Sequence, residues 1–318
     1  METINILLST DNNYVMPTGV LMHSIGIHND PVRYFVLINK DFTTKNKDIL
    51  TNIASYYHSE ISYYVINDNV TKDLPFGRDN MPKHVTIATY YRLFITQVLP
   101  LEIHKILYLD GDMIVRKSLQ DLFETNLEKY ALGAVHDMDE PNNMKRLNKF
   151  AGEGYFNAGM LLVNLDYWRT HGCYDSFIQF IQKHADRILM HDQDVLNCVF
   201  RENVKWLPLT YNFQSGFILS TANRRHNNNL QPEIDVCKTD PAIIHYTVHH
   251  KPWHISCFHP YRKLWRNYLS QSEWKGYRFD EDKPKKPVHY IRNFLFRYNL
   301  WIPTYNRTEY EKLPKLEY

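Results

Sequence analysis

Short apolar segments alternate with helical patterns through the first two-thirds of the chain. Runs rich in β-branched and other apolar residues are predicted as strands at residues 4–8, 32–38, 61–66, 106–109, 131–135 and 160–165. Apolar residues at helical spacing predict helices between them at residues 18–27, 45–57, 86–98 and 174–183. This alternation predicts an α/β fold with a largely parallel, buried sheet. Ligands of such sheets bind beyond the carboxyl ends of the strands, so polar residues that follow a strand are candidate site residues.

The composition changes after about residue 260. Residues 283–307 contain six basic residues and no acidic one, with aromatic residues between them. We therefore predict a catalytic domain over residues 1–260 and a small helical appendage, basic and aromatic, over residues 261–318. Within residues 288–302, apolar side chains recur at helical spacing beside two arginines, which is typical of a helix lying on an anionic membrane surface. A terminal helix packed on the catalytic domain is the alternative.

Charge and cysteine usage narrow the class of protein. A formal net charge of +2 over 318 residues is no signature of a nucleic-acid-binding protein. The four cysteines form no C-x-x-C pair, which favours free thiols in a reducing compartment. The first residues do not resemble a secretory signal, and no run approaches the ~18 apolar residues of a membrane span. We expect a cytoplasmic protein, held peripherally on the inner face of the cell membrane by its C-terminal helix.

An Asp-Gly-Asp sequence directly follows the strand predicted at residues 106–109. Residues i and i+2 of an extended chain point to the same side, so the carboxylates of Asp110 and Asp112 can reach one cation. Gly111 lets the backbone bend and leaves room for a ligand. Carboxylate oxygens suit Mg²⁺ or Mn²⁺, either of which would bridge to a diphosphate. Other Asp-x-Asp sequences begin at residues 137, 192 and 280, so the pattern alone fits a solvated turn equally well.

A polar cluster over residues 9–14 follows the first predicted strand. The side chains of Asp11 and Asn13 can pair with the edge of a base, while the ring of Tyr14 stacks on its face. Either Asp11 or Asn13 would serve equally well as the N-cap of the next helix. The cluster therefore predicts a nucleotide-binding loop, with helix capping as the alternative.

A histidine ends a second short apolar run. His245 follows Ile243 and Ile244 and comes six residues before Lys251. Its position after a strand, with a lysine nearby, is compatible with a metal ligand beside a phosphate site. A structural histidine is the alternative, since the chain contains 16 histidines.

These segments and three others, in order along the chain, resemble the family 8 glycosyltransferases. The shared blocks are residues 9–14, 107–112, 155–159 with 164–165, 191–194 with Asn197, 211–213, and 245–254. Members of this family are retaining enzymes of the GT-A fold, a Rossmann-like fold for nucleotide-diphosphate sugars. This chain is most similar to the bacterial lipopolysaccharide galactosyl- and glucosyltransferases over about residues 3–260. The resemblance implies transfer of glucose or galactose from a UDP-sugar to a hydroxyl of a cell-envelope glycan or glycolipid.

The resemblance also implies roles for single residues. Asp110, Asp112 and His245 would bind Mn²⁺, which an imidazole ligand favours over Mg²⁺. Asp192 and Gln193 fall on the sugar-binding and reacting face, where a front-face substitution is our preferred mechanism. The neighbouring Asp194 is the rival nucleophile for a double displacement. The implied donor-binding residues are Ser9, Thr10, Asp11, Asn13, Tyr14, Arg92, Asp110, Gly111, Asp137, Asn157, Ala158, Gly159 and Lys251.

One position departs from the family pattern. Val248 stands where the family usually has glycine, which questions the shape of the loop before Lys251.

An inverting GT-A transferase and a metal-dependent UDP-sugar hydrolase are rival enzymes. A nucleotide-sugar-binding protein without catalysis is the third alternative.

Overall fold

A computed structural model gives the fold and describes residues 3–66, 87–147, 154–218, 229–247, 250–255, 257, 259–279, 291, 294 and 295. Within these residues, no helix combines the length and apolar character that crossing a bilayer requires. Val248 lies outside the described residues. So does most of the helix predicted at residues 288–302, of which only 291, 294 and 295 are described, all as helical. Its attachment to a membrane therefore stays a prediction.

Within the described part of the chain, ten strands form a central sheet and a smaller second sheet. The strands are β1 Asn5–Ser9, β2 Arg33–Ile38, β3 Glu60–Val65, β4 Lys105–Leu109, β5 Met113–Val115, β6 Leu132–His136, β7 Phe156–Asn164, β8 Val204–Trp206, β9 Phe213–Gln214 and β10 Ile243–His245. The central sheet has seven strands in the order β3-β2-β1-β4-β7-β6-β8. Only β7 runs antiparallel to its neighbours, so the predicted α/β fold with a largely parallel sheet is confirmed. The second sheet has the order β5-β10-β9.

Helices cover both faces of the central sheet. They are α1 Val15–His28, α2 Thr44–Tyr56, α3 Ile95–Val98, α4 Gln120–Phe123, α5 Glu140–Arg146, α6 Leu165–Thr170, α7 Cys173–His184, α8 His191–Val199, α9 Ser215–Ile218, α10 Gln231–Cys237 and α11 Arg262–Ser270. Two 3₁₀ helices span Ile87–Phe94 and Leu209–Asn212. Alternate residues of β1 face opposite layers, because Ile6 and Leu8 join the core with α1 while Leu7 joins the core with α7 and α8.

The helix predicted at residues 86–98 differs in type from the observed segment. The structure forms a 3₁₀ helix over Ile87–Phe94 and only one α-helical turn, α3, after it. β-Branched and aromatic residues crowd this segment and have low α-helix propensity, so the sequence pattern alone misjudged it. The 3₁₀ segment buries Tyr90 and Tyr91 and directs Arg92 toward the sheet.

Strand β7 begins four residues before the strand predicted at 160–165. Its pairing with β6 is irregular, because Ala134 pairs with Leu161 whereas the next residue, Val135, pairs with Asn157. Residues 158–160 therefore have no partner in β6 and form a bulge. Bulges of this kind re-aim side chains at the edges of sheets, and this one lies where β7 meets the end of β4.

The described residues after position 260 pack on the same core as the α/β domain. Tyr261, Trp265, Tyr268 and Leu269 are buried in the hydrophobic cluster that contains α1 and β1. Trp274 packs so closely on Gly19 that a Cβ there would overlap the indole ring. The boundary predicted at residue 260 stays a prediction, and the chain up to residue 279 shares the core of the preceding domain.

Candidate active site

A cleft of about 290 Å³ opens where β1 and β4 end and β7 begins. Because β7 runs antiparallel to β4, its first residues meet the carboxyl end of β4 at the same edge of the sheet. The cleft is lined by Ser9, Thr10, Asp11, Tyr14, Thr89, Arg92, Tyr108, Asp110, Gly111, Asp112, Asn157, Ala158, Gly159, Met190, His191, Asp192, Gln193 and Lys251. The site thus lies at the edge that parallel sheets use for ligands.

Most residues that the sequence implicated in donor binding line this cleft. The exceptions are Asn13, which is exposed on the loop after β1, and Asp137, which lies behind the cleft wall. Of the three residues proposed for the reacting face, Asp192 and Gln193 line the cleft and Asp194 does not. Sequence reasoning missed four lining residues, namely Thr89, Tyr108, Met190 and His191.

Two aspartates and a histidine form one cluster at the end of β4. Asp110 and Asp112 leave β4 and enter β5, and His245 ends β10, which pairs with β5. One potential ligand atom from each residue lies within 4.8 Å of the other two. The Nε2 atom of His245 lies 3.2 Å from Asp112 Oδ1 and 4.0 Å from Asp110 Oδ2. Two carboxylates and an imidazole are a donor set that holds divalent transition metals.

Hydrogen bonds fix the tautomer of His245. The amide N–H of Gly159 donates to Asn157 Oδ1 (3.0 Å), and Asn212 Nδ2 donates to the same oxygen (3.0 Å). The Oδ1 atom of Asn212 therefore faces His245 and accepts from its Nδ1 atom at 2.9 Å. With the proton on Nδ1, the lone pair on Nε2 is directed toward the two aspartates. This is the arrangement by which outer hydrogen bonds orient metal-binding histidines.

Gly159 makes room for the cluster. A Cβ atom at this position would overlap the imidazole ring of His245 and lie 2.9 Å from Asp110 Oδ2. The backbone carbonyl of Gly159 also accepts a hydrogen bond from the Asp110 N–H at 2.8 Å. Glycine is therefore required by close approach, and the residues present form a space that fits a metal ion.

Lys251 supplies a positive charge beside the cluster. Its Nζ atom lies 2.5 Å from Asp112 Oδ2 and donates to the carbonyl of Tyr246 at 2.6 Å. Burial raises the pKa of Asp112, but the positive charge of Lys251 opposes burial most strongly, and the pKa is held below its usual range. Asp112 is therefore ionised at neutral pH, as a metal ligand must be.

Arg92 connects the aspartate cluster to the opposite wall. Its Nη2 atom lies 2.8 Å from Asp110 Oδ1, and its Nε atom lies 2.9 Å from Asp192 Oδ2. The guanidinium also donates to the carbonyl of Ala158 and lies 4.1 Å above the ring of Tyr108. Its side chain is only 6% exposed, so the positive charge acts on both carboxylates with little solvent screening.

The Oδ2 atom of Asp192 is buried beside Arg92 in the wall of the cleft. Although Oδ2 lies close to Arg92, the Nε–H group of that arginine points to the carbonyl of Thr89, and Oδ2 accepts no hydrogen bond among the described residues. Burial raises the pKa of Asp192 to about 7, against the opposing effect of Arg92. The charge of Arg92, 2.9 Å from Oδ2, favours the ionised form of this buried carboxylate.

The loop after β1 forms the other end of the cleft. Asp11 Oδ1 accepts from the amide N–H groups of Asn13 and Tyr14, both at 2.9 Å, so this carboxylate shapes the turn that precedes α1. The ring of Tyr14 meets Trp253 edge-on with centroids 5.5 Å apart, and it lies against Gly111. Burial, then Asp112 and Asp110, raise the pKa of Tyr14 well above its ordinary value. Tyr14 therefore presents a neutral ring to the cleft.

Gln193 is held by four hydrogen bonds. Its Oε1 atom accepts from Ala158 N at 3.0 Å and Asn157 Nδ2 at 3.3 Å. Its Nε2 atom donates to Asp137 Oδ2 at 3.3 Å and to the Tyr155 hydroxyl at 3.1 Å. Asp137 is therefore a partner of Gln193 behind the wall, and its position does not bring it to the cavity surface.

Asp194 is fully buried, and protein groups donate hydrogen bonds to both of its carboxylate oxygens. Arg146 binds it in a bidentate manner at 2.6 and 2.9 Å, and the Tyr155 hydroxyl donates at 2.7 Å. The amide N–H groups of Leu189 and Met190 add bonds of 2.8 and 2.9 Å. A carboxylate with this many donors is a weak nucleophile, and it does not reach the cavity, so the geometry disfavours it as a covalent catalyst.

Some supporting residues could have been found from the sequence and some could not. Asn212 and Tyr155 both lie in blocks that carry the family resemblance, although no role was inferred for them. Arg146 reaches Asp194 across 48 positions from α5. No local pattern distinguishes it from other arginines on a helix surface.

Comparison with known proteins identifies the family. Residues 5–257 match the model of glycosyl transferase family 8, and the chain therefore belongs to this family. The glycosyltransferase GlyF of Streptococcus pneumoniae serotype 4 is 30% identical over 267 residues, which are 82% of this chain and 60% of GlyF. This chain thus spans less than two thirds of that relative.

A second relative and a solved structure extend the comparison. A lipopolysaccharide 1,2-glucosyltransferase of Escherichia coli is 27% identical over 307 residues, covering 92% of this chain and 88% of the relative. The crystal structure of the galactosyltransferase LgtC, in complex with donor and acceptor sugar analogues, superimposes with a TM-score of 0.74 at 26% identity. The match covers 86% of this chain and 99% of LgtC. The predicted GT-A fold is confirmed.

Substitution of Gly159 tests whether the cluster is a metal site. Gly159→Ala should weaken Mn²⁺ binding by about 10–100-fold, because the new methyl group displaces His245 and Asp110. Calorimetric titration with Mn²⁺ measures the affinity. Gly276→Ala is the matched control, since a Cβ there meets no atom within 4 Å. Equal Mn²⁺ affinity in both variants would contradict the assignment.

Substitution of Asp194 separates a structural role from a nucleophilic one. Asp194→Asn should lower the free energy of unfolding by about 3–5 kcal/mol, because Arg146 loses its buried partner. Urea denaturation measures this change. Asp166→Asn, whose carboxylate is exposed, should cost little. A variant of unchanged stability and no turnover would instead support the nucleophile.

Proposed function

We propose that this chain is a metal-dependent, retaining hexosyltransferase that uses a UDP-sugar donor. The acceptor is a hydroxyl of a cell-envelope glycan or glycolipid, and the hexose is glucose or galactose. The observation that carries the proposal is one cleft that combines a carboxylate–histidine cluster, two cationic side chains and the buried carboxylate of Asp192. The names of the lipopolysaccharide glucosyltransferase and of LgtC support this substrate class.

Asp110, Asp112 and His245 would hold the cation. The imidazole ligand favours Mn²⁺, with Mg²⁺ as the alternative. When bound, the cation neutralises the diphosphate and stabilises the charge of the departing UDP. Lys251 lies at the same end of the cleft and acts as a second positive charge on the phosphates.

The loop over residues 9–14 forms the proposed base site. Tyr14 offers its ring face for stacking on uracil, and Ser9 and Thr10 line the same cleft. Asp11 shapes this loop through its two backbone hydrogen bonds, and its second oxygen remains the candidate for the base edge. Asn13 contributes to the turn, since its side chain is exposed.

Asp192 and Gln193 would face the hexose. The carboxylate of Asp192, which lines the cleft, is suited to accept a hydrogen bond from a sugar hydroxyl. In a front-face substitution, the bond between the anomeric carbon and the UDP oxygen breaks while the acceptor oxygen bonds on the same face. The proton of the acceptor passes to the released phosphate oxygen. The fixed amide of Gln193 then borders the opposite side of the sugar.

The rival functions differ in what they release. A UDP-sugar hydrolase frees the hexose at full rate without an acceptor, and a binding protein never releases UDP. An inverting transferase gives the opposite anomer. A screen with UDP-glucose and UDP-galactose, with and without a cell-envelope lipid extract, followed by NMR of the anomeric proton, distinguishes all of these from retaining transfer.

Loss of one carboxylate tests the proposed chemistry. Asp112→Asn should lower kcat by at least about 100-fold, because a neutral amide holds a divalent ion poorly against water. The assay follows UDP release from the better donor in the presence of acceptor and Mn²⁺. Asp121→Asn, on the exposed side of α4, should keep the wild-type rate. Full turnover of the wild-type protein in EDTA would overturn the metal-dependent function.

A further inference from the structure

His191, the first residue of α8, has a backbone conformation that non-glycine residues rarely adopt. Its φ angle is 52°, in the left-handed region, where Cβ crowds the backbone. Among the described residues, the only other non-glycine residue in this region is His58, with φ 50°. His58 precedes β3 on the surface, and its ring lies 3.0 Å from the carboxylate of Asp30. The left-handed backbone conformation of a histidine beside the cleft therefore calls for a structural explanation, which an exposed turn such as that of His58 does not need.

The buried carboxylate of Asp194 holds the backbone around His191 in place. Its Oδ2 atom accepts from the N–H groups of Leu189 and Met190, the two residues before His191. On the other side, the Gln193 N–H donates to the carbonyl of Met190 at 3.0 Å. The backbone is thus fixed on both sides of His191, and a disfavoured conformation persists because its neighbours determine it.

The conformation brings three consecutive side chains to one cavity. His191, Asp192 and Gln193 all line the cleft. Side chains of a regular α-helix are 100° apart, so three in a row spread over 200° and do not share one face. The left-handed residue at the start of α8 removes this restriction. The edge of the His191 ring meets the buried Tyr90 ring, with centroids 6.1 Å apart, which gives the imidazole a fixed position in the wall.

The position of His191 indicates which part of the donor it meets. Arg92 stands between Asp110 of the metal cluster and Asp192, so residues 190–193 line the end of the cleft beyond the cluster. An imidazole carries one donor and one acceptor, as a sugar hydroxyl does. We propose, on the basis of the proposed function, that His191 contacts the hexose of the donor and determines whether glucose or galactose is preferred. These sugars differ in the direction of one hydroxyl, which a fixed hydrogen-bonding group can distinguish.

Replacement of His191 by glycine tests this role without adding strain. Glycine adopts the same φ freely, so His191→Gly should keep or raise the thermal midpoint of unfolding. The ratio of kcat/KM for UDP-glucose and UDP-galactose should be at least about tenfold in the wild-type protein, in one direction, and fall below about threefold in the variant. The Kd of UDP, which has no hexose, should change by less than about twofold.

His58→Gly is the matched control. It makes the same substitution at the same backbone conformation, on the surface and away from the cleft. Its donor ratio should equal that of the wild-type protein. A change in that ratio would show that the effect of glycine is general and would overturn the assignment to His191.

The remaining outcomes separate this inference from the proposed function. A wild-type ratio near one, or a ratio that survives in His191→Gly, overturns the role of His191 while UDP-sugar transfer stands. A wild-type protein that neither binds UDP nor turns over either donor overturns the proposed function, and the inference with it.

Discussion

The repulsion among carboxylates in one small cleft is the constraint that shapes this protein. Asp110, Asp112 and Asp192 border the same cavity, and bringing like charges together out of water is unfavourable unless cations accompany them. Arg92 satisfies Asp110 and Asp192 at once, and Lys251 pairs with Asp112. The same excess of negative charge that requires these partners also suits the cluster to a divalent ion.

A chain of hydrogen bonds connects the two ends of this site through β7. It passes from His245 to Asn212, to Asn157 and to Gln193, with each amide oriented by the one before. From Gln193 it continues through Tyr155 to Asp194. The aspartate–histidine cluster and the start of α8 are thus positioned by one rigid network. The bulge in β7 makes this possible, because it turns residues 158–160 out of regular pairing with β6.

The sequence predicts structural features that depend on local residue patterns. It does not predict features that are set by contacts between residues distant along the chain. Hydrophobic periodicity predicts the main strands, and the resemblance predicts most of the cleft, since Asp110 and Asp112 follow a strand directly. The sequence does not tell which of Asp192 and Asp194 lines the cleft. That difference depends on the turn of α8 and on the ion pair between Asp194 and Arg146. Sequence reasoning also misses His191, whose importance lies in a backbone angle that no residue pattern reveals.

The most direct test of the account is the binding of UDP to the wild-type protein with and without Mn²⁺. If the aspartate–histidine cluster and Lys251 form a metal-dependent diphosphate site, calorimetry should give at least about tenfold tighter UDP binding with Mn²⁺ than with EDTA. Binding should occur with a stoichiometry near one. Equal affinity for UDP in the two solutions would contradict the central claim that this cleft recognises a nucleotide diphosphate through a metal ion.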